Sequence, residues 1–215
     1  MGIQAIVYEN YFDALLRGDR QACIKLIDEQ WDNKAPVRSI YEDLLKKALY
    51  EVGELWEENK ISVATEHLAS AITETILNGL FLKLNVLYSS EKKVLAGCVE
   101  NELHQIGIKM ICDTFEANGW PTFFLGANTP MKEFMDLARS IQPDIIALSV
   151  SIYPHIPELL KMLKIIRSEF TETPILVGGQ GFRHGGLDLI PENDNVTYIE
   201  DTFAIQEYIN QLSHE

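Results

Sequence analysis

The sequence predicts an all-α domain, a four-helix bundle, followed by an α/β domain built on five parallel strands. Apolar residues recur at helical spacing through the first 88 residues. From residue 93 onward, short β-rich runs alternate with helical segments of ten or more residues. Such alternation is typical of a doubly wound, flavodoxin- or Rossmann-like sheet, in which ligands bind outside the carboxyl ends of the strands.

The first 88 residues are expected to form four helices with short connections, which favours an antiparallel bundle. A break at Gly18 separates the first two helices, and Pro36 suits the first turn of a third. The third helix carries an apolar repeat over residues 40–55 and is expected to end around residues 59–60. Ser62 is a suitable N-cap for the fourth helix.

A polar segment at residues 88–93 is expected to join the two domains, which we place at residues 1–88 and 93–215. Strands are expected at residues 94–99, 122–125, 144–151, 175–177 and 196–199. Helices are expected at residues 106–118, 131–140, 158–170 and 203–212. Their strict alternation along the chain predicts crossover connections between parallel strands.

Composition argues against several classes of function. The formal net charge of −14 repels phosphate backbones, so we expect no direct contact of this chain with nucleic acid. The longest apolar runs are too short to cross a bilayer, and the N-terminus lacks a secretory pattern. The three cysteines are scattered without a Cys-x-x-Cys pair, which argues against disulfides and zinc. A cytoplasmic location away from membranes is expected.

Candidate functional residues follow three of the predicted strands. They are Glu102, His104, Gly107, Ser149, Ser151, Gly178 and Gly179. A carboxylate two residues before a histidine can accept a hydrogen bond from one ring nitrogen. Such a bond fixes the tautomer and raises the basicity of an imidazole that binds a transition metal. Gly107 would let the backbone pass close to a large ligand.

A plainer interpretation exists for each of these residues taken alone. A lone histidine near a helix start is usually a cap or a surface residue, and paired glycines after a strand usually form a turn. Their joint placement at three strand ends of one sheet favours the functional interpretation.

The spacing Glu102-x-His104-x-x-Gly107, followed by Ser-x-Ser and Gly-Gly, resembles the signature of cobalamin-binding domains. Those domains usually read Asp-x-His-x-x-Gly, so Glu102 is one methylene longer than the family residue. The resemblance implies that His104 is the lower axial ligand to cobalt, in place of the cofactor's own dimethylbenzimidazole, with Glu102 as its hydrogen-bond partner. It also implies a slot for the displaced tail of the cofactor. The residues lining that slot would be Ser149, Ser151, Gly178 and Gly179.

Trp56 and the pair Glu66-His67 flank one predicted connection of the bundle. An aromatic plate beside a polar pair can pack an adenine and hydrogen-bond a ribose. The plainer interpretation places Trp56 in the bundle core, Glu66 at the helix dipole and His67 on the surface. The Trp-x9-Glu-His spacing resembles that of light-sensing B12 regulators of the CarH type. The whole helical half resembles the cap of methionine synthase and its corrinoid relatives. These resemblances imply that the three residues cover the upper face of the cofactor.

Two further residues bear on this resemblance. The light-sensing regulators place a histidine directly after the tryptophan, where this chain has Glu57, and His67 is the nearest substitute for that upper ligand. His155, past the third strand, could touch the edge of the corrin ring, but a surface position in its loop is the interpretation we favour.

Two functions are consistent with these resemblances. The first is a sensor module that binds adenosylcobalamin, responds to light, and signals through homo-oligomeric assembly or a protein partner such as a regulator. It would have neither intrinsic catalysis nor a DNA-binding domain of its own. The second is a corrinoid methyl-carrier subunit that binds methylcobalamin and works with methyltransferase partners. A third interpretation, a flavodoxin-like domain for another ligand, requires His104 to be incidental. The Trp-x9-Glu-His spacing favours the sensor, and Glu57 leaves the methyl carrier open.

Overall fold

The computed structural model describes residues 3–191 and 195–212. The outer ends of the two predicted domains, residues 1–2 and 213–215, lie outside this described part, as do residues 192–194. Contacts within the chain divide it into two compact units, and the boundary lies between Leu84 and Asn85. This boundary falls slightly before the predicted end of the first domain.

The described part of the first unit consists of four helices, as the sequence predicts. They are α1 Ala5–Leu16, α2 Arg20–Asp32, α3 with the consecutive segments Val37–Ser39, Ile40–Lys46 and Lys47–Glu57, and α4 Val63–Lys83. Their apolar faces share a core whose fully buried side chains include Tyr11, Leu15, Tyr41, Leu44, Leu45, Ile72 and Leu77. The longest of these helices is α4, yet no described helix is both long and apolar enough to cross a membrane.

Local signals account for several of the helix ends in this unit. Ser62 caps α4 through its hydroxyl, which accepts a hydrogen bond from the backbone N–H of Thr65 at 3.2 Å. Pro36 stands at the N-cap of α3 rather than in its first turn. The helix ends at Glu57, earlier than predicted, because Asn59 adopts a left-handed φ of 57°. The middle of α3 is π-helical, which a 3.6-residue apolar repeat does not predict.

The second unit is built on a five-stranded parallel sheet, which confirms the predicted fold class. The strands are β1 Val94–Cys98, β2 Thr122–Phe124, β3 Ile145–Ser149, β4 Ile175–Gly178 and β5 Val196–Tyr198, in the order β2-β1-β3-β4-β5. The helices are α5 Ile106–Ala117, α6 Met131–Ile141, α7 Ile156–Glu169 and α8 Thr202–Leu212. Short 3₁₀ turns occur at Tyr153–His155, Gln180–His184 and Leu187–Leu189.

Apolar cores cover both faces of this sheet. On one face, Leu95 and Ile146 belong to a cluster with side chains of α6 and α7, such as Phe134. On the other face, Ala96 belongs to a cluster with side chains of α5 and α8, such as Phe115. Strands buried on both faces need apolar residues at every position, which explains the continuous apolar runs of β1 and β3.

The predicted linker at residues 88–93 packs against the second unit. Residues 85–93 form neither helix nor strand. The backbone N–H groups of Ser89 and Ser90 both donate to the carbonyl oxygen of Gly119, each at 3.1 Å. Gly119 has a φ of +82°, and a Cβ there would lie 2.3 Å from the Ser89 hydroxyl. The segment is therefore fixed to the turn between α5 and β2.

The strand order places the crevice of the sheet between β1 and β3. The chain adds β2 on one side of β1 and β3 on the other, so the order reverses at this point. Cys98 pairs with Ser149, and Ser149 pairs with Gly178, at the carboxyl ends of three neighbouring strands. The residues that the sequence singles out after β1, β3 and β4 consequently meet at one edge.

Candidate functional site

Glu102 and His104 lie in the turn between β1 and α5, at this carboxyl edge. The Glu102 side chain is completely buried, whereas His104 keeps 55% of its side chain exposed. Oε1 of Glu102 lies 2.5 Å from Nδ1 of His104 and accepts the backbone N–H of the same residue at 3.1 Å. An ionised carboxylate only accepts, so Nδ1 of the neutral ring carries the proton and Nε2 carries the lone pair that can bind a metal.

The second oxygen of Glu102 joins the β1 loop to the loop that follows β3. Oε2 accepts the backbone N–H groups of Ser151 at 2.9 Å and Ile152 at 3.0 Å. It also lies 3.1 Å from Nδ1 of His155. Ser151, which the sequence assigns to a ligand slot, therefore acts on this site through its backbone.

The charge of Glu102 is stabilised by these neighbours. Burial by itself would raise the pKa of the carboxyl group. The hydrogen bonds from His104, Ser151 and His155 outweigh burial and lower the pKa from 4.5 to about 2. The group thus stays a carboxylate at neutral pH, the form needed to orient an imidazole ligand.

His155 is the site residue that the sequence interpretation undervalued. Its side chain is only 24% exposed and contacts Glu102, so the surface interpretation is wrong. The physical reason is that the buried carboxylate reaches the 3₁₀ turn before α7, where His155 lies. The sequence does contain a signal for this contact, because His155 follows β3 and that strand is the neighbour of β1 in the sheet.

Gly178 and Gly179 lie where neighbouring backbones approach each other closely. A Cβ on Gly178 would lie 2.6 Å from the carbonyl oxygen of Ile199. A Cβ on Gly179, whose φ is +115°, would lie 2.2 Å from the carbonyl oxygen of Val150 and 3.0 Å from the Ser149 hydroxyl. The protein's own packing therefore requires both glycines, and their role as a slot for a ligand stays a prediction.

Gly107 lies in the first turn of α5 and faces open space. A Cβ built on this residue meets no other atom within 4 Å. The chain itself therefore does not demand glycine here, in contrast to Gly178 and Gly179. Close approach of a large ligand to Gly107 stays a prediction.

In the helical unit, Trp56 and the pair Glu66-His67 flank the connection between α3 and α4. Trp56 is 46% exposed, so the alternative that it belongs to the core is wrong. His67 is 75% exposed, and its Nδ1 lies 2.5 Å from Glu66 Oε2. Glu66 also accepts a hydrogen bond from the Ser70 hydroxyl at 2.9 Å. The unit therefore presents an exposed indole and a second carboxylate–imidazole pair.

The donor set at His104 is appropriate for a metal that is held mainly by a non-protein group. Within residues 3–191 and 195–212, no group of three or more His, Cys, Asp and Glu side chains could hold a metal ion. A metal at His104 would take its remaining ligands from elsewhere, as the metal of a macrocycle does when a protein side chain fills an axial position. One exposed imidazole with a fixed tautomer fits that requirement.

Comparison with known proteins gives family matches in both units. Two family models, each described as a B12 binding domain, match residues 7–80 and 92–205. The HTH-type transcriptional repressor CarA of Myxococcus xanthus is 28% identical over 124 residues, 58% of this chain and 43% of that protein. The chain thus spans less than half of this relative. Dimethylamine corrinoid protein 3 of Methanosarcina acetivorans is 21% identical over 182 residues, 82% of this chain and 84% of that protein.

Solved structures share the fold. The monomethylamine corrinoid protein of Methanosarcina barkeri matches with a TM-score of 0.83 and 14% identity, over 96% of this chain and 98% of its own. The methanol:cobalamin methyltransferase complex MtaBC of Methanosarcina barkeri matches with a TM-score of 0.52 and 13% identity, over 100% of this chain and 82% of that one. A helical region followed by a five-stranded parallel sheet is thus a known architecture.

Replacing Glu102 by Gln should remove a pH-dependent part of the stability. Lowering the pKa from 4.5 to about 2 corresponds to about 3 kcal/mol of unfolding free energy at pH 7. The folded-state pKa lies below the unfolded value, so this stabilisation is complete above pH 4.5 and is lost as the pH falls toward 2. Urea unfolding at a series of pH values measures it.

The matched control is Glu133→Gln, because Glu133 is exposed and, within residues 3–191 and 195–212, forms an ion pair only with the exposed Lys132. It should change the stability by less than about 1 kcal/mol. If the difference in unfolding free energy between the wild type and Glu102→Gln does not decrease below pH 4.5, the low pKa of Glu102 is contradicted.

The two kinds of glycine should respond differently to alanine in the ligand-free protein. Gly179→Ala should lower the free energy of unfolding by about 2 kcal/mol or more, because of its positive φ and the contact with Val150. Gly107→Ala should raise it by about 0.5 kcal/mol, because alanine favours a helix and the space is open. Denaturant unfolding of both variants measures this, and equal stabilities would refute the packing argument.

Proposed function

This chain belongs to the B12-binding domain family and binds cobalamin, and we propose that His104 is the lower axial ligand of the cobalt. The observation that carries this proposal is the exposed imidazole whose Nδ1 is held by the buried carboxylate of Glu102. The pair lies at the carboxyl edge between β1 and β3, where sheets of this order bind ligands. Bound cobalamin supplies a cobalt–carbon bond, whose reactivity belongs to the cofactor.

The other residues of this edge would hold the rest of the cofactor. Glu102 orients His104, and Gly107 leaves room for a large ring. The slot for the displaced nucleotide tail would follow the ends of β3 and β4. Its lining residues would be Ser149, Ser151, Gly178 and Gly179.

Trp56, Glu66 and His67 would contact the group on the upper face of the cobalt. The exposed indole offers an apolar plate for an adenine, and the Glu66 carboxylate offers acceptors for ribose hydroxyls. These features support adenosylcobalamin as the preferred form. Methylcobalamin, whose upper group is small, would leave the indole without such a partner.

On this basis the chain would be an adenosylcobalamin-dependent light sensor module that signals through its assembly or through a protein partner. The Trp-x9-Glu-His spacing supports the light-sensing role, and the similarity to a transcriptional repressor of Myxococcus xanthus supports a regulatory one. The alternative is a corrinoid methyl carrier that serves a methyltransferase partner. Its support is the similarity to a dimethylamine corrinoid protein, which extends over most of both chains.

Replacing His104 by Ala should abolish histidine ligation of bound cobalamin. We expect the absorption spectrum to lose the histidine-ligated form, and the dissociation constant to rise at least about tenfold, because even partners of metal ligands contribute that much. The control is His184→Ala, which removes an exposed imidazole from the 3₁₀ turn after β4. Unchanged histidine ligation in His104→Ala would refute the proposal.

Light separates the sensor from the methyl carrier. The protein loaded with adenosylcobalamin in darkness should convert under green light to a stable, protein-held product, and its mass in solution should change. Absorption spectra and size-exclusion chromatography with light scattering measure both effects. A light response identical to that of free adenosylcobalamin would favour the methyl carrier.

The affinities for adenosylcobalamin and methylcobalamin, measured by titration in darkness, test the upper-face residues. Trp56→Ala should reduce the preference for adenosylcobalamin over methylcobalamin, whereas Trp31→Ala, which removes a half-buried indole elsewhere in the unit, should not. Equal affinity of the wild type for the two cofactors would count against the cap.

A further inference from the structure

The Glu102 carboxylate is held by donors from two loops. Oε1 accepts hydrogen bonds from the backbone N–H and from the Nδ1–H of His104. Oε2 receives the backbone N–H groups of Ser151 and Ile152 and the ring of His155. Within the described part of the chain, the only side chain that donates to Oε2 is thus a second imidazole.

Glutamate needs this additional anchor more than aspartate would. Its side chain has one more rotatable bond, so its carboxylate can take more orientations relative to His104. Ser151 and Ile152 are adjacent in the chain and hold Oε2 from one segment of backbone. His155 approaches from the following 3₁₀ turn, which adds a constraint that the two backbone groups do not provide.

The turn itself fixes the position of the His155 ring. The backbone N–H of His155 donates to the carbonyl oxygen of Ile152 at 2.8 Å, and Pro154 restricts the backbone just before it. The ring is three-quarters buried, and α7 begins at the next residue. The donor therefore belongs to a rigid element rather than to a free loop.

We infer that His155 is a positioning residue for His104: it holds Oε2 of Glu102 so that Oε1 faces Nδ1 of the ligand histidine. The inference rests on the proposed role of His104 as the cobalt ligand. His155 would act on the cofactor only through Glu102, by keeping His104 in the tautomer whose Nε2 binds metal. The expected contribution is smaller than that of His104, because two backbone donors on Oε2 remain when His155 is replaced.

The test uses two variants of one residue. In His155→Leu the donor is lost, whereas in His155→Asn the amide NH₂ can occupy nearly the position of Nδ1 and donate to Oε2. The first measurement is ¹⁵N NMR of the ligand-free full chain, with the His104 ring assigned by comparison with His104→Ala. We expect the wild type to show the Nδ1–H tautomer, His155→Leu a mixture, and His155→Asn a return toward the wild type.

The second measurement is the affinity for cobalamin, with the fraction that shows histidine ligation in the absorption spectrum. His155→Leu should bind about tenfold more weakly, at the lower end of the range for groups that support a metal ligand. His155→Asn should recover most of this loss. Thermal unfolding of each variant measures whether the substitution also lowers the stability of the fold.

The inference is overturned by either of two results. One is an unchanged His104 tautomer and unchanged affinity in His155→Leu. The other is an equal loss of stability and affinity in both variants, which would show a purely structural role. The NMR measurement needs no cofactor, so a wild type that failed to ligate cobalamin through His104 would refute the proposed function without deciding whether His155 orients that ring.

Discussion

A buried, ionised carboxylate is the interaction on which the edge of the sheet depends. Placing the charge of Glu102 away from water is costly unless several donors surround it. The loops after β1 and β3 supply these donors because the strands are neighbours in the sheet. The strand order, the turn before α5 and the start of α7 are therefore coupled through one side chain. The exposed imidazole of His104 is the part of this network that can contact a ligand.

Glutamate instead of aspartate changes what this network can reach. Judged from the sequence, the extra methylene is a departure from the pattern of the family. In the structure, the longer side chain contacts its histidine with one oxygen and the β3 loop with the other. One glutamate side chain thus contacts both His104 and His155. The longer side chain reaches further but has more conformational freedom, which additional hydrogen-bond donors must restrict.

Periodicity and strand-end rules were enough to predict the fold and to place Glu102 and His104 at one edge. Those signals are local, because each depends on side-chain spacing within a single element. The contact of His155 with Glu102 was not predicted, because it depends on the distance between two loops. The need for glycine at Gly179 likewise depends on the carbonyl oxygen of Val150, in the loop after the neighbouring strand. The π-helical part of α3 concerns backbone hydrogen bonding, which apolar spacing does not report.

The Glu102–His104 and Glu66–His67 carboxylate–imidazole pairs have different surroundings. Glu102 is buried and accepts five hydrogen bonds, so its effect on His104 is exerted in a region of low dielectric constant. Glu66 and His67 are more exposed, so solvent screens their attraction. The proposed lower ligand would need a fixed tautomer, and the Glu102–His104 pair would provide it. The more exposed Glu66–His67 pair would instead serve as the proposed upper-face contact. Under the proposed function, the difference between a sensor and a methyl carrier would therefore depend on the helical unit, because the buried pair would serve both.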